Sequence, residues 1–202
     1  TFVGDLFKTF FFGGGLVPTS KNARQSAWKD FDPSASWSAT NKAWKIDIGG
    51  FKTDPHRTIV GRGLQFLSRW TWELPQTVLG KTISHVRNMT GNVDDVSYYR
   101  GATLVNKNED PDKNGSIERW GFTLGPYINS KNVKADPYTD DIFRHEYGHT
   151  LQSRLVGPFY LTSVALPSLV GQGLDDLGLN NPNYDWNETR GNRMSSDYIK
   201  NN

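Results

Sequence analysis

The chain has 202 residues, 36% hydrophobic, 22% charged and 13% aromatic, with 23 basic against 21 acidic side chains. That length suits a single domain, 1–202, and seven Trp, eight Tyr and eleven Phe supply enough bulk for a core to argue against disorder. A formal charge of +2 argues against a surface that tracks nucleic-acid phosphates, the lack of cysteine excludes disulfides and thiolate metal sites, and no apolar run reaches the ~18 residues of a membrane span.

Thr1 opens the chain without a methionine or a basic leader, so a processed product of a longer precursor is expected. Residues 1–52 read as a strand through Phe10, Phe11 and Phe12, then an irregular wrap anchored by Trp28, Trp37 and Trp44. Asp54-Pro55 offers an N-cap and a proline at the first helical position. Ile59, Leu64, Phe66, Leu67 and Trp70 then recur at helical spacing. Pro75 breaks that helix or starts another, which Val78, Leu79, Ile83 and Val86 continue as far as Met89.

Residues 96–105 and 117–124 read as the two strands of a hairpin around a polar loop, whose Asn114-Gly115 pair suits a tight turn. Asp136-Pro137 repeats the cap pattern and opens a helix running to about Leu155, stopped by Gly157-Pro158. An apolar segment at 159–169 reads as core beneath that helix. A Gly/Asp/Asn-rich loop at 171–184 and a last short helix from about Asn187 follow. Helices, a hairpin and helices again predict an α+β architecture.

One motif carries chemistry. Arg144-His145-Glu146-Tyr147-Gly148-His149 contains His-Glu-x-x-His on a predicted helix. Residues four apart lie one turn above each other on a single face, so the two imidazoles can bind one Zn²⁺. Glu146, next to the first ligand, is placed to take a proton from a water that the cation acidifies, and to pass it to a leaving amine. His56 and His85 stand outside any ligand spacing and read as structural or solvent-facing.

A catalytic zinc takes three protein ligands. The metzincin extension needs Gly and His where this chain has Gln152 and Leu155, and no histidine follows His149. A downstream third ligand must then be a carboxylate. Glu188 leads, on a predicted helix with the small Gly191 three residues on; Asp175 and Asp176, in a Gly-flanked loop, are the alternative. Tyr160, Tyr184, Arg193 and Tyr198 are all candidates to stabilise an oxyanion.

At these residues the chain resembles the gluzincins, zinc metallopeptidases that pair His-Glu-x-x-His with a glutamate on a second helix. The match is His145, Glu146, His149 and Glu188, with Asn187 before the glutamate and Gly191 where Ala or Ser is commoner. A wider likeness runs through His145-Glu-Tyr-Gly-His149-Thr-Leu-Gln152, Gly157-Pro158-x-Tyr160-Leu161, Pro167-Ser168 and Trp186-x-Glu188 with Asn192-Arg193. These stretches are similar to bacterial zincin-like domains found at the C-terminal ends of repeat-containing secreted proteins. The resemblance implies a zincin-like fold, with a small sheet followed by an active-site helix and a C-terminal helical part. It also implies a secreted or exported, toxin-like domain released from a longer precursor, without naming a substrate. The motif's chemistry suits amide carbonyls, so a peptide or protein substrate is expected, with an inhibitor or the parent chain as a further partner. In zincins an edge strand before the active-site helix lines the cleft, a role the resemblance assigns to residues 120–128.

The expectation is therefore a zinc-dependent hydrolase of amide bonds. A metal-binding but non-hydrolytic interaction module and a hydrolase of cell-wall cross-links are the alternatives.

Overall fold

A computed structural model describes residues 33–113, 115–168 and 182–200, with side chains from residue 37 in the first stretch and from 189 in the last. It is a mixed α+β structure, with helices on both faces of one four-stranded sheet. Part of the expected N-terminal wrap is helix α1 (Pro33–Gly49). Its tryptophans are not anchors: Trp37 is 76% and Trp44 64% exposed. Ile46 is buried instead, and polar ties hold the helix. Lys42 Nζ donates to Val93 O at 2.7 Å, and Tyr98 Oη to Lys45 O at 2.7 Å. Asp47 meets Lys81 at 2.8 Å and His85 at 3.1 Å, so His85 is structural, as expected. Trp28 and the expected strand at Phe10–Phe12 lie outside the described residues.

The strands are β1 (Asp95–Tyr99), β2 (Ala102–Lys107), β3 (Trp120–Leu124) and β4 (Tyr127–Lys131), in the order β1-β2-β4-β3. β1–β2 and β3–β4 are antiparallel, and β2–β4 is parallel. The expected single strand at 96–105 is therefore a hairpin in itself. It turns at Arg100 and Gly101, both at positive φ (44° and 87°). The expected pairing across the polar loop is also corrected, because β4 lies between β2 and β3. That strand is hard to read because Asn129 and Ser130 are polar yet fully buried. Neighbouring polar groups meet them in part: Ser84 Oγ donates to Asn129 Oδ1 at 3.2 Å, Arg87 Nη2 to Ser130 O at 2.8 Å, and Ser130 Oγ to Asn106 Oδ1 at 2.9 Å, while Asn129 Nδ2 has no partner among the described residues.

Two helices follow α1 before the sheet. Helix α2 (Ile59–Trp70) starts four residues later than Pro55, where the sequence places its first turn. Thr58 Oγ1 caps it by accepting from Gly61 N at 3.1 Å, while Asp54 Oδ1 accepts from His56 N in the preceding turn. Its apolar face points outward, with Ile59 87% and Leu64 63% exposed, and Gln65 and Arg69 face in. Arg69 donates to the carbonyls of Gly49, Gly50, Lys52 and Gly101, and burial lowers its pKa to about 10. Helix α3 (Leu74–Met89) carries Pro75 in its first turn, so the proline starts it. α3 buries a small-residue face against the sheet. A Cβ at Gly80 would stand 2.4 Å from Leu124 O.

Helix α4 (Asp141–Val156) begins later than Asp136-Pro137 suggests. Asp136 accepts from Tyr138 N and Thr139 Oγ1, whereas Asp140 Oδ1 caps the helix by accepting from Phe143 N at 3.0 Å. Gly157, at φ 62°, ends it where expected. Phe143, Tyr147 and Leu151 of α4 pack on Ala102, Leu104 and Ile128 of the sheet. The opposite face packs Val105 and Tyr127 against Ile46 of α1.

After α4, a 3₁₀ turn (Gly157–Phe159) leads into a π-helical turn (Leu161–Ala165). Tyr160 and Val164 are buried there, but Phe159 and Leu166 are exposed, so only part of this apolar stretch is core. The last helix, α5 (Pro182–Lys200), starts five residues before Asn187 and is not short. It crosses α4 at two glycines, and a Cβ on Gly148 would fall 2.0 Å from Gly191 O. No helix among the described residues is long and apolar enough to cross a membrane.

Candidate metal centre

His145 and His149 stand one turn apart on α4, and their Nε2 atoms approach to 3.1 Å. The rings are nearly perpendicular, at 88°, so the nitrogens converge on one point rather than stack. Each Nδ1 is held from the far side, His145 by Asn192 Oδ1 at 3.0 Å and His149 by Gln152 Oε1 at 2.6 Å. An amide oxygen only accepts, so each Nδ1 carries the proton and donates it. With the proton on Nδ1, each Nε2 is the atom that can ligate, and a cation between the two would be held by both.

A tetrahedral zinc bound at about 2.0–2.1 Å places two ligand nitrogens roughly 3.3–3.4 Å apart. The observed separation is close to that value, and an oxygen partner on each Nδ1 is what metal-binding imidazoles require. These two residues fit the group.

Glu146 points at strand β3. It is 5% exposed, and its Oε2 accepts from Thr123 Oγ1 at 2.7 Å. Gly121 makes room for it, since a Cβ there would stand 2.8 Å from Glu146 Cγ. The alternation of the strand therefore turns Gly121 and Thr123 toward the helix. Trp120 and Phe122 lie on the other face, where the Arg87 guanidinium sits 5.1 Å from the Trp120 ring.

Two hollows meet at Glu146. A polar cleft of about 620 Å³ is lined by Trp120, Gly121, Arg144, His145, Glu146 and Asn192. An apolar pocket of about 580 Å³ reaches Glu146 and His149 between Ile83, Phe122, Leu124, Tyr160 and Leu161. Among the described residues β3 ends the sheet, so an extended chain laid along it runs from one hollow to the other past the imidazoles. Of the segment expected to line the cleft, only 120–124 form this end strand; Tyr127 and Ile128 lie in β4, inside the sheet.

Among the described residues no group of three His, Cys, Asp or Glu comes together. Glu188 lies on α5, three residues before the Gly191 crossing and four before Asn192, but its side chain is outside the described ones. Asp175 and Asp176 lie wholly outside the described residues. Two of the oxyanion candidates stand elsewhere: Tyr198 is bonded to Asp54 and Arg57, and Arg193 pairs with Asp197 at 3.8 Å. Tyr160 Oη donates to Thr123 O at 3.0 Å, behind the Glu146 partner. Tyr184 has no described side chain.

Sequence reasoning missed Thr123, Gly121 and Gly148 as parts of the site. The signal for the first two was present, as two small residues alternating on a strand just before the motif helix. No family model matches the chain, and neither a curated protein nor a solved structure does.

Proposed function

We propose that this chain is a zinc-dependent peptidase with a zincin-like fold, of the gluzincin type that its motifs resemble. The observation that carries the reading is the convergence of the His145 and His149 Nε2 atoms, at 3.1 Å, with both Nδ1 atoms engaged and Glu146 at the same cleft. His145, His149 and Glu188 would hold the metal. Zinc, when bound, polarises a carbonyl and acidifies a water molecule.

The chain's own residues supply the rest. The edge of β3 aligns an extended peptide, and the apolar pocket beside Glu146 takes a bulky apolar side chain next to the scissile bond. Glu146 accepts the proton of the attacking water and returns it to the leaving amine. Thr123 orients that carboxylate while it is ionised, and burial keeps bulk water from competing for the proton.

Elemental analysis of the wild type and of Glu188→Ala, with cleavage of a peptide library by the wild type and by Glu146→Gln, tests the reading. We expect close to one zinc per wild-type chain and substantially less in Glu188→Ala. Glu146→Gln should keep its zinc while cleavage falls by about 10²–10⁴-fold. No zinc uptake by the wild type would sink the reading. Turnover of isolated cell-wall material with no peptide cleavage would replace the substrate.

A further inference from the structure

Arg57, ahead of α2, and Arg154, in the last turn of α4, line one cleft of about 510 Å³ with Leu151, Leu155, Met194 and Tyr198. Leu151 follows His149 by two residues and Met194 follows Asn192 by two, so this cleft opens on helix faces turned away from the imidazoles. Arg154 Nε is buried with no hydrogen-bond partner among the described residues. A buried donor left unsatisfied is costly, and a charged one more so.

The nearby Glu73 carboxylate acts on the Arg154 charge but makes no hydrogen bond to its Nε among the described residues. Burial lowers the pKa of Arg154, Glu73 opposes that shift, and Arg57 adds to it. Glu73 is already occupied, accepting from Ser68 Oγ at 2.6 Å and from Ser153 Oγ at 2.9 Å. Arg57 is held by its Nε, which donates to Tyr198 Oη at 2.9 Å, with the guanidinium 5.3 Å from the Tyr198 ring. Its terminal nitrogens have no hydrogen-bond partner among the described residues. Asp54 lies 4.0 Å from Arg57 Nε and offsets part of its charge, and the two guanidinium groups share one cleft with an apolar wall.

We propose that this cleft is a second binding site, for an organic monocarboxylate with an apolar body. The two guanidinium groups take the carboxylate through charge-assisted hydrogen bonds. Leu151, Leu155 and Met194 take the hydrocarbon. Asp197 on the rim disfavours a second negative charge, which sets a monocarboxylate above a dicarboxylate or a phosphate. The volume lies within the range of ordinary small-ligand pockets.

Octanoate is the probe, titrated by calorimetry into chelator-treated protein so that zinc offers it no competing ligand position. We expect saturable one-to-one binding, weakened roughly tenfold or more by Arg154→Met and by Arg57→Gln. Arg57 is partly exposed, so Arg57→Gln carries the test should Arg154→Met fail to fold by circular dichroism. Leu64→Lys, on the outward face of α2, should leave the affinity unchanged, and octylamine should not bind. The proposal is overturned by the absence of saturable binding, by unchanged affinity in a folded arginine variant, or by loss of binding in Leu64→Lys.

Discussion

Helices α2 and α4 both bury polar side chains, and they do so to opposite ends. In α2, Arg69 meets four backbone carbonyls from the 49–52 turn and from Gly101. Gln65 meets the backbone too, accepting from Asp54 N at 2.8 Å. Each group is answered by main chain, which fixes loops in place and leaves nothing for a ligand. In α4, His149, Glu146 and Gln152 are answered by other side chains, and two imidazoles are turned on each other. Buried polarity satisfied by backbone is scaffold. Buried polarity that converges and lines a cleft is where chemistry is expected.

That contrast can be broken by substitution. Arg69→Met should have the largest effect on folding, leaving several buried carbonyls without a donor and costing about 3 kcal/mol or more in urea unfolding. Zinc content per folded chain should not change; a loss would tie α2 to the site. Gly148→Ala comes next, since its Cβ collides with Gly191 O. Separation of α4 from α5 should cost about 1–3 kcal/mol. It should also weaken zinc affinity in a chelator competition, because Asn192 withdraws from His145. Unaltered affinity would show that the crossing does not position the ligands.

Thr123→Val sharpens the comparison at one atom. It removes the hydrogen bond to Glu146, so kcat/KM should fall about tenfold while zinc affinity holds. Leu64→Lys should have the smallest effect, within about 0.5 kcal/mol, because the side chain is mostly in solvent. A large loss would mean that this face is covered in the folded protein.

The motif helix was legible in sequence because its signal is local: a spacing of four, and a glycine that ends the helix at positive φ. The α+β class followed from element order. Helix starts were misread twice in the same way. Asp-Pro pairs attract attention as caps, yet Asp54 and Asp136 close turns, and Thr58 and Asp140 further on cap the helices. Strand β4 was illegible because its buried Asn129 and Ser130 mimic a loop until Ser84 and Arg87 arrive from distant sequence. The apolar rhythm of α2 was real but faced solvent, since periodicity reports a stripe and not what the stripe meets. Asn192 and Gln152 stood in the wider resemblance, and only the fold gives them a task.

The crossing of Gly148 with Gly191 also bears on timing. While the chain is being made, α4 emerges with both imidazoles, but the partner of His145 Nδ1 sits on the last helix. Synthesis proceeds at ~5–20 residues per second from the N-terminus, so an interval separates the two. Through that interval the histidine pair is half-clamped. Only when the middle of α5 has docked, backbone against backbone at Gly191, does Asn192 reach His145. On the proposed reading, a chain cut before α5 would hold one imidazole without its clamp.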